Sequence, residues 1–253
     1  MKTRTAWFVA MCLFSSPLVA QSPAIPTMDH EPHHHLALHN DYVKVFNVEV
    51  SPGDSIVLHS HDQDTVAIAI GDQLVTVGVP GKPDVHQKNA DAQVRLQRSG
   101  YIHSTHVDGD TPYHTVAVEL MQPQTDFHNV CAEILAGQPL NCPDTAKKTS
   151  TAYSSQPLLE SSETRVQLVR VLPHQSMRLA MKPADSPSSL GAPQVIVALD
   201  AASISSVSPK GPEKALQPGD FVWMDGGPGH ERVYQNRGDK EARFLEIIFP
   251  PVP

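Results

Sequence analysis

No long stretch of this 253-residue chain repeats its apolar residues every 3.6 positions, so helix content should be small. The chain also lacks a nucleophile elbow, a Gly-rich phosphate loop and a Cys-x-x-Cys pair. Hydrolase, nucleotide-binding and dithiol chemistries therefore have no visible foothold. Cations are outnumbered, 19 Lys and Arg against 27 Asp and Glu, for a net charge of −8. Such a chain has no field for phosphate backbones or anionic lipid, and nucleic acid is not an expected partner.

What is present begins with a leader. Lys2 and Arg4 precede a short apolar run from Ala6 to Phe14, and Ser15 to Ala20 ends in Leu18-Val19-Ala20 before Gln21. That pattern reads as a secretory signal peptide over residues 1–20, cut after Ala20, and is too short for a spanning helix. The expected location is secreted or periplasmic. The residue directly after the cut is Gln21 rather than Cys, so no lipid membrane anchor is indicated. Cleavage would take the net charge from −8 to −10 and leave Cys131 and Cys142 as the remaining cysteines. An even pair in an exported protein reads as a disulfide, contributing on the order of 3 kcal/mol through chain entropy.

Residues 21–40 are rich in Pro and His without periodicity. Their cluster of His30, His33, His34, His35 and His39 reads first as an exposed segment, and second as a metal-capturing tract. From Asp41 short Val, Ile, Leu and Phe runs alternate with Pro-Gly, Gly-Asp and Asp-Gly turns, which predicts an all-β sandwich or barrel. A barrel over 41–140, a polar linker over 141–163 and a second barrel over 164–253 follow from the composition. The two blocks repeat each other. Asn47 to Ser55 lines up with Leu168 to Ser176, Gly100-Tyr-Ile-His103 with Gly227-Pro-Gly-His230, and Val118-Glu119-Leu120 with Leu245-Glu246-Ile247.

The chemically informative stretch is Pro52-Gly53-Asp-Ser-Ile-Val-Leu-His59-Ser-His61. On a strand, His59 and His61 share a face, with Ser55 and Val57 on the same side. A Gly, five residues and His-x-His resembles the first motif of the cupin superfamily. Gly100-Tyr-Ile-His103, about forty residues on, resembles the second. The resemblance implies a double-stranded β-helix, or jelly-roll barrel, in two tandem copies. It also implies that His59, His61 and His103 converge on one divalent metal ion. Neutral imidazole suits Fe, Ni, Cu and Zn, and a joining carboxylate would admit Mn.

Cupins usually supply a Glu as fourth ligand, and none stands in that place. Counting forward from His61 reaches Thr65, and counting back from Gly71 reaches Asp64. Asp64 is the preferred carboxylate, on the parity that groups it with Val66, Ile68 and Ile70; a three-histidine site is the alternative. In the second barrel, Ala180 and Lys182 replace the paired histidines and leave His230 alone, so that barrel is expected to be metal-free. His106 falls on the opposite face from His103, as a weak candidate for a substrate-facing role. Glu119 and Glu246 recur in both barrels, which favours a structural job. The leading function is a metal-dependent oxidoreductase, dioxygenase-like or oxidase-like, acting on a small oxygenated substrate. The alternatives are a non-catalytic module binding a small molecule or metal, and a structural surface protein. Cupins often dimerise through barrel edges, so a homodimer is compatible with the resemblance.

Overall fold

The computed structural model describes residues 24–129, 131, 133–134, 148–179, 192–206, 212–226 and 232–249. A 3₁₀ turn, Met28–His30, leads into β1 (His34–His39), β2 (Val43–Val50), β3 (Ser55–Ser60), β4 (Thr65–Ala69) and β5 (Gln73–Gly78). The first barrel closes with β6 (Val85–Asn89), β7 (Val94–Gln97), β8 (Ile102–Val107) and β9 (Tyr113–Leu120). Short strands β10 (His128–Asn129), β11 (Glu133–Ile134) and β12 (Lys148–Thr149) connect the blocks. The second barrel holds β13 (Tyr153–Glu160), β14 (Arg165–Val171), β15 (Ser176–Leu179), β16 (Gln194–Ala198) and β17 (Ala202–Ser206). It ends with β18 (Glu213–Leu216), β19 (Phe221–Met224), β20 (Arg232–Gln235) and β21 (Ala242–Ile248).

Each barrel is two facing sheets, and the strand orders match one for one. The first runs β1-β2-β9-β4-β7 in one sheet and β3-β8-β5-β6 in the other. The second runs β13-β14-β21-β16-β19 and β15-β20-β17-β18. The fold is therefore all-β, a jelly roll in two copies, as the repeat implies. Strand pairing adjusts the sequence match in one place. Val45 pairs with Val118 and Leu168 with Leu245, so β2 and β14 correspond two residues away from the sequence alignment. A slip of two keeps side-chain parity, and the same faces stay buried.

Alternation along the strands makes two kinds of core. Val43, Val45, Val66 and Val118 of the first barrel and Val166, Leu168, Val195 and Leu245 of the second form one apolar cluster. The larger sheets thus pack back to back. Inside the first barrel sit Met28, Phe46, Val48, Val50, Ile56 and Val107; inside the second sit Leu179, Ile196, Ile204, Leu216, Tyr234 and Phe244.

Two boundaries differ from the sequence reading. Part of the segment 21–40 is β1, paired along β2, and the end of the segment 141–163 is β13, paired along β14. Polar composition hid both: β1 is an edge strand with no buried residue, and β13 buries Gln156, Leu158 and Leu159 without a clean alternation. Pro157 sits at a register shift in β13, where a strand tolerates a residue without an N–H. Ala180, Lys182, His230, Cys142 and residues 1–20 lie outside the described residues. Among the described residues no helix is long and apolar enough to cross a membrane.

The shared core gives the first prediction. Leu245 is fully buried between the barrels. Leu245→Ala should lower stability by about 2–5 kcal/mol, measured by denaturant unfolding. A loss below about 0.5 kcal/mol, the scale of a surface substitution, would show that the interface is not a core.

Candidate metal centre

His59 and His61 lie on and just after β3, and His103 on β8 pairs directly with His59. Gly53 (φ 82°) makes the turn into β3, and Gly100 (φ 82°) the turn into β8. Both are left-handed conformations that glycine adopts without steric cost. Simple alternation does not describe β3. A register shift between Ile56 and His59 inserts one extra residue, so both face inward while Val57 is half exposed and Ser55 exposed. The expectation that Ser55 and Val57 share the histidine face fails for this reason: a bulge breaks the period of two.

All three imidazoles are buried, at 0%, 2% and 6% exposure for His59, His61 and His103. Their candidate ligand atoms lie within 4.8 Å of one another. The ring centroids are 4.6 to 5.1 Å apart. Each Nδ1 is anchored on the outer side. His59 Nδ1 lies 2.9 Å from the carbonyl of Val57, which can only accept, so this nitrogen carries the proton. His61 Nδ1 lies 3.2 Å from Thr65 Oγ1, whose hydroxyl can in turn donate to the carbonyl of Gln63. His103 Nδ1 is 3.5 Å from Thr105 Oγ1.

That arrangement turns the Nε2 atoms inward. His59 Nε2 is buried without a hydrogen-bond partner, and the Nε2 atoms of His61 and His103 are 3.0 Å apart. Burial pushes the imidazole pKa of His59 down to about 4 and that of His61 to about 3, and His103 lies well below the ordinary value. His61 and His103 stand close enough for one Nε2–H to donate to the other, which leaves the Nε2 of His59 unmatched; a cation between the rings would engage all three. The donor set fits one borderline divalent ion, for which neutral imidazole is the commonest ligand.

Asp64 does not join this group. Its carboxylate accepts from Arg98 Nε at 3.0 Å and from the Ser99 N–H at 2.8 Å. Its strand parity follows Val66 and Ile68, and that face packs against the second barrel. The barrel interior takes Thr65, Ala67 and Ala69, the small side chains, because it must leave room around the centre. Bulky apolar residues marked the wrong side. His106 is exposed and bonded to Ser55, away from the centre.

A fourth histidine comes from the N-terminal segment. His34 on β1 packs its ring 4.8 Å from that of His59. Its Nδ1 is 2.7 Å from Glu31, which is itself 2% exposed. Burial alone would raise the Glu31 pKa; hydrogen bonds from the His34 and His33 rings and the His33 N–H outweigh it and hold it at about 2. Met28 lies against Thr65, and the Ser60 N–H donates to the carbonyl of Pro26. The segment before β2 therefore covers the centre. Nothing in its sequence distinguished His34 from its exposed neighbours.

The second barrel is filled where the first is open. Ser55 pairs with His106 as Ser176 does with Gln235, which sets Arg232 at the place of His103 and Leu179 opposite it. Leu179 belongs to the apolar interior. Among the described residues, the histidines of the first barrel are the one such cluster.

No family model matches the sequence, and a search of curated proteins finds no match. Solved structures do share the fold. AerE from Microcystis aeruginosa matches with a TM-score of 0.60 at 10% identity, over 89% of this chain and 97% of that one. Salicylate 1,2-dioxygenase from Pseudoaminobacter salicylatoxidans, in adducts with gentisate, gives 0.53 at 10% identity, over 82% and 68%. A cupin 2 conserved barrel domain protein from Leptotrichia buccalis gives 0.52 at 8%, over 85% and 86%. The chain has the cupin fold in its two-barrel form.

Two predictions follow from the anchoring and burial. Thr65→Val keeps the shape but removes the oxygen that holds His61. It should weaken Zn(II) or Mn(II) binding by about 10–100-fold in competition titrations, the usual effect of losing a ligand's hydrogen-bond partner. The lowered imidazole pKa values mean that the unfolded chain binds more protons in acid. The metal-free protein should therefore be most stable above about pH 6.5 and lose stability as pH falls toward 4. Thermal melts across pH, beside a His61→Gln variant with a shallower fall, check the sign.

Proposed function

We propose that this chain is an exported, metal-dependent oxidoreductase in which His59, His61 and His103 hold one divalent ion beside a small oxygenated substrate. The observation that carries the reading is the orphaned, buried Nε2 of His59 facing the Nε2 pair of His61 and His103. An ion held there supplies Lewis-acid or one-electron redox chemistry. The protein's part is to fix the three lone pairs through Val57, Thr65 and Thr105 and to keep the imidazoles neutral by burial. The covering segment from Met28 to His34 excludes water from one side. On the other side a small cavity of about 30 Å³, partly open to solvent, reaches His103 past Tyr101, whose ring stacks on it at 4.8 Å. Among the described residues, His103 and Tyr101 are where this space meets the centre.

The similar fold of a dioxygenase with a gentisate adduct supports the oxidoreductase class over hydrolysis. A second reading is a binding module without turnover. The engagement of Asp64 by Arg98 favours it, since the expected carboxylate is then held away from the three histidines. Export, with a Cys131–Cys142 disulfide and a mature N-terminus at Gln21, belongs to the proposal. Intact-mass measurement of protein from a periplasmic fraction tests it.

The decisive experiment is metal analysis of tag-free protein beside the His59→Ala/His61→Ala variant, followed by dioxygen-uptake assays. Roughly one equivalent of Fe, Mn, Ni, Cu or Zn is expected, lost in the variant. Equal metal in both proteins sinks the site. Full loading without dioxygen uptake or product formation favours the binding module.

A further inference from the structure

Glu31 is a buried carboxylate that belongs to neither sheet of the first barrel. It stands between the turn Met28–His30 and β1 and is 2% exposed. Four hydrogen bonds converge on it. Oε2 accepts from the His33 N–H at 2.8 Å and from His34 Nδ1 at 2.7 Å. Oε1 accepts from His33 Nδ1 at 3.2 Å and from the Val57 N–H at 3.3 Å. A carboxyl group that only accepts is ionised, and His34 then carries its proton on Nδ1.

Two of those bonds lead to His59. Val57 lies in the bulge of β3, and its carbonyl holds His59 Nδ1 at 2.9 Å. A bulge leaves a residue out of the strand ladder, and the N–H of Val57 finds its partner in Glu31 instead. His34, on the other carboxylate oxygen, packs its ring 4.8 Å from that of His59. Glu31 therefore grips His59 on two sides, through the residue that fixes its outer nitrogen and through the ring that lies against it. The second barrel shows that the bulge is no demand of the fold. From Ser55 to His59, β3 sets five residues against the four of His103 to His106, whereas from Ser176 to Leu179 β15 sets four against four. The extra residue belongs to the barrel that carries the histidines.

Charge adds to the grip. Three neutral imidazoles give a divalent ion no counter-charge, and a buried cation is costly without one. Asp64 is engaged by Arg98, but Glu31 acts at the His59 ring. Burial lowers the His59 pKa, and the bond to Val57 and the Glu31 charge both oppose that fall. We propose, on the reading of His59, His61 and His103 as ligands, that Glu31 is a positioning residue of the metal centre. It holds His59 through Val57 and His34, and it supplies from behind the ligands the negative charge that three imidazoles lack.

Co(II) titration of the full chain, followed by visible absorption and by chelator competition, tests this role. Glu31→Gln keeps the shape and removes the charge. It should weaken Co(II) binding by about 10–100-fold and alter the visible spectrum, as other losses just outside a ligand set do. Glu31→Asp keeps the charge and should recover part of the affinity. Asp29→Asn loosens the same segment at its ion pair with Lys44 and should bind Co(II) as the wild-type chain does. In the metal-free protein, Glu31→Ala should speed hydrogen exchange at the Val57 amide by about tenfold or more. Equal affinity and an unchanged spectrum in Glu31→Gln would overturn the role and leave the metal site standing. An equal loss in Asp29→Asn would also overturn it, because the segment would then act only as a cover. Unchanged exchange at Val57 would overturn it whether or not metal binds. A wild-type chain that takes up no Co(II) would overturn the metal reading, and this role with it.

Discussion

The geometry of the first barrel depends on three neutral imidazoles buried with their Nε2 atoms facing one another. Burial keeps each ring neutral, so each has a ring nitrogen able to bond a neighbour or an ion. The arrangement survives because each outer nitrogen is tied to a strand, through the carbonyl of Val57 or the hydroxyls of Thr65 and Thr105. A divalent ion would satisfy the orphaned atom of His59. Much else in this half of the molecule serves that demand: the bulge in β3, the glycine turns before β3 and β8, and the small side chains opposite the centre.

The second barrel shows what the same topology does without the demand. Leu179 and Ile196 stand where His59 and Thr65 stand, and the interior closes on apolar side chains. Its larger sheet covers the outer face of the first barrel's larger sheet in one continuous core. That division frees the inner barrel from having to supply stability through its own packing. A polar cavity is tolerable in a barrel whose outer face is so thoroughly buried. Glu119 and Glu246 stand at equivalent places in the two barrels. Glu119 sits buried at the barrel end beside Lys44, where burial raises its pKa to about 6, and Glu246 is buried against Gln167.

The N-terminal segment changes the account of the centre most. By composition it is a polar, histidine-rich lead-in. In the fold it carries Met28, Glu31 and His34 against the histidine cluster, with Glu31 forming a buried carboxylate–imidazole pair. The absence of a cupin-type glutamate therefore does not leave the centre without an acidic neighbour, since Glu31 lies one imidazole away.

The all-β class, the duplication and the spacing of His59, His61 and His103 were legible in the sequence, because turn signals, alternation and motif spacing are local properties. The side on which Asp64 falls was not legible. Both faces of β4 are buried, one against a second barrel, and hydrophobicity cannot tell an interface from an interior. The bulge that carries His59 inward, the packing of His34 on His59 and the reach of Glu31 to Val57 were equally hidden. Each depends on which strand lies beside which, and that is settled by pairing between residues far apart in the chain.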